Sequence, residues 1–225
     1  MGLALGLGLG LHRQNNMVLL RKDPAFRITV DTTKAGSASD TFVLPLNSGY
    51  SYDFTVDWGD GNSETVTTNT DVTHTYTSSG TYQIAITGTF PAITFDNGGD
   101  KLKLISIDNW GDIVWQTMRD AFYGCENMDG TYKDTPDFSN VTDMSYMFYG
   151  CSSFNQSVSN FDTSNVTNMR FMFRGCSSFN QSVSNFDTSN VTDMGDMFRG
   201  CSSFKQDIST FSIESVTVLT NMLNN

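Results

Sequence analysis

Apolar residues in the second half of the chain recur in a fixed pattern. Val166, Met169, Met172, Phe173 and Cys176 fall at steps of 3, 3, 1 and 3, a spacing that predicts one face of a short helix. Thr163-Ser164-Asn165 ahead of them offers N-cap side chains, and Gly175 stands near the helix end, where left-handed backbone is favoured. Beyond Cys176, Phe179, Val183 and Phe186 flank Asn180-Gln181-Ser182, which predicts a short strand and a turn back to the next helix. The first half reads differently. FRITVDT, TFVLPL, YDFTVDW, ETVTT, VTHTY and TYQIAITG are short β-rich runs, several alternating with period two. Asp60-Gly61 is a hairpin signal between two of them. About six such strands in succession predict a small sandwich.

The helical pattern belongs to a repeat. Cys151–Gly175 reads CSSFNQSVSNFDTSNVTNMRFMFRG and Cys176–Gly200 reads CSSFNQSVSNFDTSNVTDMGDMFRG, a step of 25 residues, and a third copy from Cys201 drifts. Periods of this size mark stacked repeats, because one repeat cannot bury its own apolar face. The register extends upstream through Trp115, Val141, Val166, Val191 and Val216, through Phe122, Phe148, Phe173, Phe198 and Leu223, and through Cys125, Cys151, Cys176 and Cys201. The step from Cys125 to Cys151 holds one extra residue, with Pro136 where Phe belongs. A capping turn from about Ile93 and about four repeats follow from this register. Stacking would place Asn155, Gln156, Asn180, Gln181 and Gln206 in a polar ladder bridging adjacent turns. The chain thus divides into residues 1–24, residues 25–91 and residues 92–225.

Two stretches resemble known families. The recurring SNVTxMxxMFxGCSSFNQxxSxF resembles the BspA-type leucine-rich repeat of bacterial surface proteins. Asp57-Trp58-Gly59-Asp60-Gly61, followed by His74, Tyr76, Gly80 and Tyr82, resembles the PKD-type immunoglobulin-like domain. Together the resemblances imply a mainly β chain with short helices: a PKD β-sandwich, then a short α/β leucine-rich-repeat solenoid. They also imply non-catalytic modules that space, present or contact other components. The order of the two modules resembles that in bacterial and phage-encoded surface proteins.

Composition narrows the partners. Thirteen basic against 24 acidic residues give a net charge of −11 at pH 7, which argues against nucleic acid and anionic membranes. Residues 1–11, MGLALGLGLGL, are too few for a membrane span and lack the basic region and cleavage site of a signal peptide. With Leu3, Leu5, Leu7, Leu9 and Leu11 on one face of a strand, the segment predicts an assembly anchor on a partner or a sister subunit; the alternative is an unstructured leader. The four cysteines fall on successive turns without a CxxC, so buried thiols are expected instead of a zinc site. Asp57, Asp60, Asn62 and Glu64 depart from EF-hand spacing and are explained by the turn. No nucleophile–base pair converges, so no enzyme and no cofactor are expected.

Two binding candidates remain: the polar ladder, and the last turn, where Val216, Leu219, Met222 and Leu223 have no successor. The function expected is a displayed structural or recognition protein. Two settings compete. One is a phage virion surface, with other virion proteins or itself as partners. The other is a bacterial cell-surface adhesin facing a host receptor or glycan. A carbohydrate-binding accessory module is a third possibility.

Overall fold

The computed structural model describes residues 22–223 and is mainly β. The anchor expected at Leu3, Leu5, Leu7, Leu9 and Leu11 lies outside the described residues. Eight strands follow in order: β1 (Phe26–Asp31), β2 (Thr41–Leu44), β3 (Asp53–Asp57), β4 (Ser63–Val66), β5 (Val72–Thr75), β6 (Thr81–Thr89), β7 (Leu104–Asn109) and β8 (Asp129–Gly130). They form an open six-stranded sheet, β4-β3-β6-β1-β7-β8, and an open pair, β2-β5. Alternation explains the strands. Phe26, Ile28 and Val30 of β1 are buried while the residues between them are half-exposed, as a period of two requires. Trp58 to Asn62, with Asp60-Gly61 at its centre, joins β3 to β4 in an antiparallel pair.

β7 lies downstream of the sandwich run, yet it pairs antiparallel with β1, Ile28 opposite Ile107. One buried cluster therefore runs from Phe26 through Trp110 and Trp115 to Phe204. Lys103, just before β7, fastens this join. Its Nζ is fully buried and donates to the carbonyls of Ser37, Ala38 and Thr41 at 3.1, 2.8 and 2.7 Å, and to Ser37 Oγ at 2.9 Å. Asp100 Oδ1 lies 3.8 Å from the ammonium. The same carboxylate accepts from the Ser37 and Val43 amides at 2.6 and 2.7 Å and from the Ser37 hydroxyl at 2.7 Å. A charge so buried is tolerable because every polar atom around it is satisfied. Gly36 is required beside it, since a Cβ there would collide with Asp100.

The helix expected around Val166–Cys176 is not formed. Among the described residues the helical stretch is the 3₁₀ turn Lys101–Lys103. The short strand expected after Cys176 is also absent; that stretch is irregular. The repeat is a ladder of tight turns. Amides of Met172, Arg174 and Cys176 donate three residues back, to the carbonyls of Met169, Phe171 and Phe173. The alternate amides, of Met169, Phe171, Phe173 and Gly175, donate to Asp193, Gly195, Met197 and Arg199 of the next turn at 2.8 to 3.0 Å. A continuous helix would need every amide to bond within its own segment. Positive φ at Phe171 and Gly175, +59° and +75°, breaks it into turns, as the third position of a type II turn demands.

The same alternation recurs at Met118–Gly124, Met144–Gly150 and Met194–Phe198. Parallel bridges connect Asp143, Asn168, Asp193 and Val218. Inside, Phe122, Phe148, Phe173 and Phe198 stack at centroid separations of 5.6, 5.5 and 5.6 Å. Each such aromatic pair contributes about 0.5–1.5 kcal/mol beyond its buried area. Phe154, Phe179 and Phe204 stack beside them at steps of 5.9 Å. The four thiols are free and buried. Those of Cys151, Cys176 and Cys201 donate to the carbonyls of Phe122, Phe148 and Phe173 at 3.0, 2.9 and 2.8 Å.

Two expectations follow. Lys103→Ala strands the Asp100 carboxylate and should lower the urea-unfolding free energy by about 3–5 kcal/mol, with a smaller loss when Asp100→Asn is added. Burial pushes the Cys125, Cys151 and Cys176 thiols well above the ordinary value of 9.0, and Cys201 up to about 12. The folded state therefore keeps protons that the unfolded chain gives up. The contribution of the thiols should be constant below about pH 9 and fall between about 9 and 12, measured as the change in urea midpoint between about pH 8 and 12.

Candidate recognition face

The turn ladder decides which side chains reach the surface. At the positive-φ position stand Asp120, Tyr146, Phe171, Asp196 and Asn221, with φ between 53° and 60°. Two of these five, Tyr146 and Phe171, are residues that such backbone disfavours, at a cost of about 1–2 kcal/mol each, whereas aspartate and asparagine adopt it readily. A repeated outlier of this kind is a pointer to function. Gly150, Gly175 and Gly200 take the next positive-φ position, with φ of 74°, 75° and 77°. There a Cβ would meet the glycine of the preceding turn at 3.6 to 3.7 Å.

Around the positive-φ column lies an aromatic and arginine cluster. Tyr123 and Tyr149 stack at 4.6 Å and 7°. Tyr146 leans on Phe171 at 4.7 Å and on Tyr149 at 5.8 Å. Arg170 covers the Phe171 ring at 4.6 Å, and Arg174 lies 5.3 Å from Tyr149 and 5.2 Å from Phe171. Ion pairs edge the cluster: Arg119 with Asp120 at 3.2 Å, Arg170 with Asp193 at 3.7 Å, and Arg199 with Asp196 at 3.0 Å. Burial pushes the Asp120 carboxyl up, against the hydrogen bond from Arg119 that draws it down. Burial likewise raises the Tyr123 phenol, helped by Tyr149 and Asp96.

Sequence reasoning missed this face, though a signal was present. The copies Cys151–Gly175 and Cys176–Gly200 differ at three positions: Asn168 against Asp193, Arg170 against Gly195, and Phe171 against Asp196. All three fall here. Phe171 and Asp196 share the positive-φ position of the turn and are both nearly buried, while the remaining interior positions and the glycine of the turn are unchanged between the two copies.

The residues singled out from the sequence are placed as follows. Asn155 Oδ1 accepts from the Asn180 amide at 2.9 Å and from Gln181 Nε2 at 3.1 Å. Asn180 Oδ1 accepts from the Lys205 amide and from Gln206 Nε2, both at 2.9 Å. Gln156 Nε2 donates to the Tyr132 carbonyl at 2.9 Å. These side chains thus bracket successive turns. At the last turn Leu219 and Leu223 are exposed, while Val216 and Met222 are half-buried. Leu219, Met222 and Leu223 line a cleft of about 370 Å³ with Met194, Ile208, Phe211 and Ile213.

In the sandwich, Asp60 Oδ2 meets His74 Nε2 at 2.9 Å, and His74 stacks on Trp58 at 4.7 Å and 4°. Burial raises the Asp60 carboxyl, but hydrogen bonds from His74 and Asn62 outweigh it and hold it below its usual range. Glu64 accepts from Trp58 Nε1 at 3.0 Å, and Asp57 from the Gly59 amide at 2.9 Å. The oxygens of this loop are engaged in the turn. Among the described residues no three His, Cys, Asp or Glu side chains converge as a metal site, and no helix is long and apolar enough to cross a membrane.

Residues 27–92 match the family model of the PKD domain. Residues 116–225 match that of a family described as Mycoplasma protein of unknown function, DUF285. No curated protein and no solved structure matches the chain. The two matches support an immunoglobulin-like domain followed by a BspA-type segment, and neither family is catalytic. They point to a surface-associated, non-catalytic protein.

The two kinds of turn position lose different things on exchange. Phe171→Asp, the residue of the next copy, removes a nearly buried ring and its contacts with Tyr146, Arg170 and Arg174, and should lower the unfolding free energy by about 1–3 kcal/mol. Gly175→Ala should cost about 1–2 kcal/mol through its left-handed backbone. Thermal or urea melts of the two variants check both.

Proposed function

We propose that the chain is a surface recognition protein of the bacterial cell-surface kind. In this reading an immunoglobulin-like domain carries a short solenoid of 25-residue turns, and one face of the solenoid makes the contact. The observation that carries the reading is the confinement of copy-to-copy differences to Asn168, Arg170 and Phe171 and their counterparts. Positions that serve only stability repeat unchanged in the two copies. Positions free to differ, and filled with aromatic and arginine side chains at a cost in backbone strain, are those a partner would read. Stacked repeats commonly build binding surfaces in this way.

A virion setting gains no support from the family matches, whereas a BspA-type segment fits a cell surface. Antibody raised against residues 116–225 should label intact cells of the source organism, and mild protease treatment of those cells should remove the label. Labelling confined to broken cells, or to purified phage particles, would overturn the reading.

A further inference from the structure

We infer that the face around Arg174 binds a polypeptide segment carrying a carboxylate beside an aromatic or apolar side chain. This rests on the contact-face reading above and adds the partner's chemistry. Three observations lead to it. First, the face has the composition of a protein-contact hot spot. Tyr123, Tyr146, Tyr149 and Phe171 stand with Arg119, Arg170, Arg174 and Arg199, which are all the arginines of residues 116–225. Tyrosine, phenylalanine and arginine are enriched at protein interfaces, and Tyr and Arg dominate their energetics.

Second, the charges on the face are unequally matched. Arg119, Arg170 and Arg199 each have an aspartate within 4 Å. Arg174 has no carboxylate partner among the described residues and lies half-buried over Tyr149 and Phe171. A guanidinium resting against two rings is restrained in place. Its planar fork of N–H groups fits a carboxylate through two parallel hydrogen bonds.

Third, the faces of the Tyr149 and Phe171 rings are taken. Tyr149 stacks with Tyr123 of the preceding turn and lies under Arg174 of the following one, and Arg170 covers Phe171. A sugar stacks on a free ring face, and here mainly ring edges, hydroxyls and guanidinium edges remain. Such edges suit side chains and backbone of a peptide better than a pyranose ring.

The test uses the full chain, the variant Arg174→Ala, and the triple variant Asn168→Asp, Arg170→Gly, Phe171→Asp, which copies the next turn and so keeps the fold. Each is screened against a displayed library of random peptides and against an array of neutral and acidic glycans. The expected result is enrichment of peptides bearing Asp or Glu next to an aromatic or apolar residue. Synthetic versions should lose at least about 30-fold in affinity with either variant, and should bind more weakly as salt rises. Peptides that bind Arg174→Ala as well as the parent, but not the triple variant, would overturn the carboxylate partner and leave the contact face standing. Glycans bound by the parent and lost with the triple variant would overturn the partner class alone. No ligand of either kind, or ligands indifferent to both variants, would overturn the partner and the contact face together.

Discussion

In Met169–Gly175 and its counterparts every other backbone amide has its acceptor in the next turn, and this alternation sets the geometry of the repeats. The amides between them close tight turns within the segment. Both sets must be satisfied, because an unpaired buried amide costs as much as a lost hydrogen bond. The step is therefore fixed at 25 residues wherever two neighbouring turns are regular. Phenylalanines then stack above phenylalanines, and the thiols of Cys151, Cys176 and Cys201 each face a carbonyl of the turn before. The extra residue between Cys125 and Cys151 is absorbed where the alternation is interrupted, around Pro136.

The period of the repeat and its buried positions were legible in the sequence, but its secondary structure was not. Steps of 3, 3, 1 and 3 describe one face of a helix, and they also describe successive turns that return the chain to the interior every three or four residues. Hydrophobic periodicity cannot separate the two. The backbone sign at Phe171 separates them, and nothing in the side chain of phenylalanine announces it. The sandwich strands were more legible because alternation with period two has few competing explanations. β7 was not, since its sequence, LISIDN, sits beyond the sandwich run and its partner β1 is about 80 residues earlier. Lys103 was hidden for a related reason. In Lys101-Leu102-Lys103-Leu104 the two lysines look alike, yet Lys103 is fully buried against the Ser37–Thr41 segment and Lys101 is half-exposed.

The contact face was legible only by subtraction. Reading one copy shows a Phe among apolar residues, which looks like core. Reading two copies against each other shows Asp196 where Phe171 stood, and the nearly buried aspartate is accommodated there by its ion pair with Arg199. The polar ladder shows the reverse. Asn155 and Asn180 stand unchanged in both copies because each Oδ1 holds the amide of the turn above.

The glycine column has a consequence for how such a chain can grow. Gly150, Gly175 and Gly200 share one left-handed backbone and each lies at the same separation from the glycine of the turn before, so the lower and upper surfaces of a turn are interchangeable. A duplicated block of 25 residues brings its own donors, acceptors, aromatic rings and thiol, and needs no compensating change in its neighbours. The length of the stack is thereby a free variable of its gene, while its cross-section is not. Each added block also adds a fresh row to the cluster around Tyr146 and Phe171, open to a new residue at the exposed position of Arg170.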